Sequence, residues 1–393
     1  MKRRKLIQYG ALSSASFLVN MALLNQKQTV ALSFESMSNK QMYDWIFLYW
    51  MPYDNNLSGY RTPILQMLTR GVQSENILAV VESDFSGAKQ LSRNVIAKGN
   101  IDIQKLETAN SADEEVFAEY LCWAKSRFDA EKWAIVFLGH GGCLDEISPD
   151  EHPDPGAGSG TKWMNIKKLS DVIAKFNKEV DNRVELVFFQ NCNKGTIEAH
   201  YTFRDTAKYT LSSQKLLGAP NYYYEPLFQF LGRHPEVNGG QVAEKIMEFE
   251  PRDMYYSYTV TNNDAVRNLQ AKVNPLIDSI LSSDIKAIQK SELKTYGYMD
   301  EQYVDVVSFF QTLTKQAGAA QQKYKEFVEF FNKSIIHKLQ QNGTLLGPSS
   351  KHQTLSGLGI FLPTSRQELE KYRYLQVYSD LRLAELFDAF LFD

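Results

Sequence analysis

Cysteine is scarce in this chain, with Cys122, Cys143 and Cys192 the only three among 393 residues. An odd number cannot all pair within one chain, and none stand at the Cys-x-x-Cys spacing of a zinc or redox site, so at least one thiol is expected to be free. Positive charge is not in excess either: 43 Lys and Arg against 46 Asp and Glu leave a formal charge of −3. Past the N-terminus no basic stripe occurs, which excludes nucleic acid as the main partner, because phosphate-binding surfaces concentrate Lys and Arg. No segment beyond the first residues approaches the ~20 uninterrupted apolar residues of a spanning helix, so stable membrane insertion is not expected. Internal repeats are missing as well.

What is present is an ordinary globular composition, 44% AVILMFWYC and 23% charged, on a chain long enough for one to three domains. At the N-terminus, Lys2, Arg3, Arg4 and Lys5 precede a moderately apolar stretch from Leu6 to Leu24, interrupted by Gln8, Ser13, Ser14, Ser16 and Asn20. A stretch so diluted is a poor membrane anchor and a good export signal. Arg3-Arg4 followed by Lys5-Leu6-Ile7 is similar to a twin-arginine motif, and Thr29-Val30-Ala31 offers a small residue for cleavage. Residues 1–31 are therefore expected to be a signal, and the mature protein to be exported, periplasmic or secreted.

From about Asp44 short apolar runs alternate with amphipathic stretches, as βαβ units require. Trp45–Trp50 and Ile77–Val81 read as parallel strands joined through a helix over Leu57–Leu68. Leu91–Ile103 reads as a hairpin. Ser111 and Glu114 form the pattern of a capping box before a helix that buries Val116, Phe117, Tyr120, Leu121 and Ala124. Strands follow at Trp133–Gly139, Val184–Gln190 and Lys208–Leu211, with helices over Leu169–Phe176 and Thr196–Arg204. Residues 144–161 hold three prolines, three glycines and five acids, a composition that predicts a mobile surface loop. After Tyr224 the chain reads as mainly helical, with Asp264 capping a face of Val266, Leu269, Val273, Ile277 and Ile280. A late strand is expected at Gly359–Leu362 and a closing helix through Leu383, Leu386, Phe387 and Phe390. The fold class is α/β: a mostly parallel sheet covered on both faces by helices, with a core over 40–225 and a helical C-terminal extension over 226–393.

Two of the strands end on reactive side chains. WAIVFLGH reaches His140, followed by Gly141 and Gly142, and VELVFFQNC reaches Cys192, 52 positions later. In an open α/β sheet, ligands gather beyond the carboxyl ends of the strands, where loops carry reactive groups without opening the core. A thiol is mostly protonated at neutral pH; an adjacent imidazole can take its proton and later return it to a leaving amine. Gly141 and Cys192 could offer backbone N–H groups to an oxyanion. His152, His200, His234, His337 and His352 have no comparable neighbour. Cys143, three residues from His140, is half of a metal pair without a second half, so no transition-metal site is expected.

These residues resemble the clostripain-type cysteine peptidases, which share the caspase-like fold with caspases and gingipains. The resemblance is carried by WIFLYWMPYDNNL (45–57), FLGHGG (137–142), FFQNCNKGTIE (188–198), LSSQKLLGAPNYYY (211–224) and GLGIFLP (357–363). It implies a caspase-like sheet and an endopeptidase acting on proteins or peptides through a His140/Cys192 dyad, with Ser213 and Gln214 flanking the primary specificity pocket. Members that cleave after Arg or Lys usually carry an Asp two residues before the nucleophile. Here Gln190 stands there, without the opposing charge, so an altered specificity is expected. Lys194 adds positive potential that would lower the thiol pKa. The chemistry requires no cofactor; calcium, needed by some relatives, would find oxygen ligands in Asp145, Glu146, Asp150, Glu151 and Asp154. Relatives also cut themselves between the two catalytic residues, where Lys162 is the first basic residue beyond the acidic segment. The competing reading is a catalytically silent peptide-binding or scaffold protein on the same fold.

Overall fold

A computed structural model describes residues 40–108, 110–152, 160–285, 287–348 and 355–392. The expected signal over 1–31 and Asp154 lie outside the described residues. Nearly every strand run legible in the sequence forms a strand: β1 (Met42–Tyr53), β2 (Ile77–Phe85), the hairpin β3 (Ser92–Ala97) and β4 (Asn100–Lys105), β5 (Asp129–Leu138), β8 (Val184–Gln190) and β9 (Tyr209–Ser212). Two short strands, β6 (Glu146–Asp150) and β7 (Lys162–Asn165), pair antiparallel between β5 and β8 in sequence.

Past residue 225 come β10 (Tyr258–Asn262), β11 (Thr295–Tyr298), β12 (Glu301–Asp305), β13 (Ile336–Gln340) and β14 (Gly359–Phe361). The main sheet has the order β13-β10-β9-β8-β5-β1-β2-β3-β4, and β11-β12-β14 form a second, smaller sheet. The five central strands β9, β8, β5, β1 and β2 run parallel, and both edges are antiparallel. The C-terminal part is thus not a helical extension set on a finished core. It supplies β10 and β13 to the main sheet, and Gln41–Asp393 form one compact unit.

The period-two alternation of β1 divides the core. Ile46, Leu48 and Trp50 face one layer, with Phe117, Tyr120, Leu169 and Ile173 from the helices Glu114–Arg127 and Ile166–Glu179. Trp45, Phe47, Tyr49 and Met51 face the other, with Ile64, Leu68, Leu227, Phe228 and Ile246 from the helices Arg61–Gly71, Tyr224–Leu231 and Gly239–Phe249. A strand apolar on both faces needs helices on both sides, and it receives them.

Three local expectations are corrected. Asp113, not Ser111, caps the Glu114–Arg127 helix, because its carboxylate accepts from the Glu115 N–H; Ser111 instead bonds Asp84 and Asp150. Asn262 caps the turn of helix that Asp264 was expected to cap. The acidic segment is a strand over Glu146–Asp150, since Ile147 is a buried anchor and β7 supplies a partner; only residues 153–159 of it lie outside the described residues.

Candidate active site

β1, β5 and β8 are neighbours and parallel, with Trp50 opposite Phe137 and Leu138 opposite Gln190. Their carboxyl ends therefore lie at one level, at the edge where the chain reverses its order of adding strands, the switch point that α/β sheets use for ligands. Asn56 follows β1, His140 stands two residues past β5, and Cys192 stands two past β8. Gly139 turns the chain with φ +111°, a conformation that favours glycine. Gly141 lies so close to the next loop that a Cβ there would collide with the Cys192 carbonyl oxygen. The His140 and Cys192 loops are in direct contact.

The Cys192 loop holds the His140 loop by side chains on either side of the thiol. Asn191 Nδ2 donates to the carbonyls of Gly139 (2.9 Å) and His140 (3.1 Å). The buried Lys194 directs Nζ at the carbonyls of Gly142 (3.3 Å), Cys143 (2.6 Å) and Leu144 (3.4 Å). Desolvation brings the Lys194 pKa down to about 8, against the pull of Glu301, Asp145 and Glu146. The bridge between Gly141 and Ile147 uses the His140 carbonyl and the Gly142 N–H, and leaves the Gly141 N–H out of its hydrogen bonds.

His140 Nε2 lies 2.8 Å from Asn56 Oδ1. An amide oxygen only accepts, so Nε2 carries the hydrogen and Nδ1 is left as the basic nitrogen. Burial lowers the His140 pKa, and the Glu151 charge opposes that shift. The half-buried Cys192 sulfur meets the main chain of Leu217, its N–H at 3.4 Å and its carbonyl at 3.5 Å. Burial also raises the thiol pKa; Lys194 pulls downward as expected, but less than desolvation pushes upward. Both shifts favour the uncharged forms, a thiol and an imidazole.

Below the thiol, Gln190 is buried and fully bonded. Its Oε1 accepts from the hydroxyls of Tyr223 (2.9 Å) and Tyr224 (3.2 Å), and its Nε2 donates to Asn221 Oδ1. Glu250 stands behind this network, accepting from the main-chain N–H groups of Tyr222 and Tyr223, its pKa raised to about 7 by burial. Ser213 and Gln214 border the Cys192 loop: Gly195 N–H donates to the Ser213 carbonyl, and the Gln214 side chain turns inward to Asp305 at 3.2 Å.

The model of the clostripain family matches residues 49–391. The chain belongs to the clostripain family. Clostripain of Hathewaya histolytica is 23% identical over 277 residues, 61% of this chain and 51% of that protein, so the chain spans about half the length of this relative. The X-ray structure of an inactive zymogen C11 protease from Parabacteroides distasonis covers 88% of this chain and 99% of its own at 20% identity, with a TM-score of 0.66. That of a secreted C11 cysteine protease from Bacteroides thetaiotaomicron, in complex with an irreversible peptide inhibitor, covers 87% and 99% at 18% identity, with a TM-score of 0.67. These likenesses show the fold, the caspase-like, mostly parallel sheet flanked by helices.

Within this clostripain-family site, the described acids expected to offer calcium ligands, Asp145, Glu146, Asp150 and Glu151, are not one set. Asp145 is taken by Tyr374 and Asn165, and Glu146 by the Cys143 N–H. Asp150 instead joins Asp54 and Asp84 in a buried cluster whose oxygens lie within 4.8 Å of one another. His200, buried, bonds Thr261 and Ser212 at 2.7 Å each. Lys162 is exposed at the start of β7. Two site residues were present in matching motifs without a role: Asn56 in the Asp-Asn-Asn-Leu run and Leu217 in the segment after β9. A third, Tyr298, was missed. Its hydroxyl donates to the Gly141 carbonyl at 2.5 Å from the β11–β12 hairpin, in a region read as helical.

Proposed function

We propose that the protein is a cysteine endopeptidase in which Cys192 is the nucleophile and His140 the general acid and base. The observation that supports this most is the meeting of three parallel strand ends, with Asn56 binding Nε2 of His140 so that Nδ1 is the base. In this reading Nδ1 takes the Cys192 proton as sulfur attacks the scissile carbonyl, and the N–H groups of Gly141 and Cys192 receive the oxyanion. The imidazolium then protonates the leaving amine, and a water activated by the same nitrogen hydrolyses the thioester. Because burial favours the uncharged thiol and imidazole, the thiolate–imidazolium pair forms transiently, in the course of attack.

Peptide substrates fit the clostripain relative and the peptide-inhibitor complex of the structural neighbour. Strict preference for Arg or Lys does not fit Gln190, which has no charge and spends its amide on Asn221, Tyr223 and Tyr224. Ser213 and Gln214 would then offer a substrate their main chain. No cofactor takes part in the chemistry. Calcium, if bound, would be structural, and the all-oxygen set Asp54, Asp84 and Asp150 suits it better than the scattered acids around Asp145. The basic, apolar N-terminus supports export, as does the secreted neighbour, and no described helix is long and apolar enough to cross a membrane. The silent-scaffold reading has less support, since both reactive side chains are held in place by neighbours that a scaffold would not need.

An electrophilic ketone on a peptide tests the assignment. We expect it to label the tryptic fragment containing Cys192, and His140→Ala to slow labelling at least tenfold. Equal labelling of Cys122, Cys143 and Cys192 would overturn it.

A further inference from the structure

The β11–β12 hairpin is fastened to the His140 loop at two points. Tyr298 OH donates to the Gly141 carbonyl at 2.5 Å, and the Glu301 carboxylate, opposite Tyr298 in the ladder, accepts from the Leu144 N–H at 2.8 Å. Glu301 is fixed in turn by Tyr303 OH at 2.6 Å and by Tyr372. The half-buried Tyr298 ring is therefore held rigidly and not laid over the site as a loose lid. The Gly141 loop that it holds packs directly on Cys192, and the hydroxyl and the sulfur influence one another. A phenol has one hydrogen, so the Gly141 carbonyl and the sulfur compete for it. The carbonyl takes it while the sulfur is a thiol; a thiolate is the stronger acceptor.

We propose that Tyr298 is a further catalytic residue, whose O–H turns from the Gly141 carbonyl to the Cys192 sulfur as the thiolate forms and turns back as the sulfur is acylated. The hydroxyl keeps its proton throughout. His140 Nδ1 carries the proton that leaves sulfur, so no charge is created or lost beyond the thiolate–imidazolium pair. The arrangement answers a need visible in the site: burial disfavours the thiolate, Lys194 spends its donors on three carbonyls, and the sulfur accepts from the Leu217 N–H at 3.4 Å. The proposal rests on Cys192 being the nucleophile, but its test does not require turnover.

The test is the pH dependence of Cys192 alkylation by iodoacetamide in the full chain, read by mass spectrometry for wild type, Tyr298→Phe and Tyr298→Ala. Thermal melts confirm folding. The donor account expects the midpoint to rise by about one unit in both variants, a roughly tenfold loss of thiolate at neutral pH. If a peptide substrate is cleaved, kcat should fall about tenfold in Tyr298→Phe with KM nearly unchanged. An unmoved midpoint overturns the proposal, and so does a lowered midpoint, which would make the ring an obstruction over the thiol. Absence of peptide cleavage in wild type, with the midpoint shift present, would count against the peptidase reading alone.

Discussion

In the proposed mechanism an imidazole takes a proton through Nδ1 and must keep its other nitrogen occupied, and Asn56 is what occupies it here. The arrangement is the organic counterpart of the carboxylate or carbonyl that orients a catalytic or metal-bound histidine. An amide fixes the tautomer without adding charge, in keeping with a His140 pKa that burial has lowered. Asn56→Ala should therefore cost about 10- to 100-fold in kcat with KM little changed, in steady-state kinetics on any cleaved peptide. Asn56→Asp should raise the acidic limb of the pH–rate profile, because a carboxylate beside the ring favours the imidazolium. A profile identical to wild type in both variants would show that Asn56 only packs. Asn191 and Lys194 act on the same loop from the other side, as ties to main-chain carbonyls.

At the scale of elements, what was legible in the sequence is what period and polarity alone decide. The central runs of β1, β2, β5 and β8 are apolar because helices cover both faces, and such runs are too short for helices, so their ends and hence His140 and Cys192 could be placed. The late strands were not legible for the opposite reason. β10 (YTVTN) and β13 (IHKLQ) are half polar: in β10 the buried Thr259 and Thr261 find hydrogen-bond partners in the Gly357 carbonyl and His200, and β13 is the partly exposed edge strand. Tyr258 and Val260 look like the start of the helical face that follows them, and only pairing with β9 shows them as strand. The β11–β12 hairpin carries alternating tyrosines, Tyr296, Tyr298 and Tyr303, a strand signal outweighed by the helices around it. Tyr298 was lost with it. In the acidic segment, composition pointed to a loop, but Ile147 and Met164 are both buried and need only two short strands to bring them in. Capping failed by small margins, since Asp113 and Asn262 stand within two residues of the expected Ser111 and Asp264.

At the scale of the whole molecule, buried acids set the response to pH. Asp84, Glu198 and Glu250 are each raised to about 7 by desolvation. The folded chain thus holds protons that the unfolded chain releases above its ordinary carboxylate pKa. The stability they lend is full below that value and is lost as pH rises through about 7. His200, lowered to about 3 by burial, works against this only below its ordinary value of 6.5. Between pH 8 and 6.5 Lys194 opposes the acids only near the upper limit, where the folded lysine completes its protonation, so the melting temperature should rise by about 2–5 °C on acidification across that window. A fall over the same window in scanning calorimetry would mean that these carboxyls are ionised in the fold. The pH optimum for turnover need not coincide with the optimum for stability, since it depends on His140 remaining neutral. The central claim, a peptidase working through Cys192, is tested most directly by incubating residues 32–393 with a mixed peptide library and reading the cut sites by mass spectrometry, beside Cys192→Ala. The account predicts internal cuts that vanish in the variant and are not confined to sites after Arg or Lys. Cuts that persist in Cys192→Ala, or no cuts with and without calcium, would contradict it.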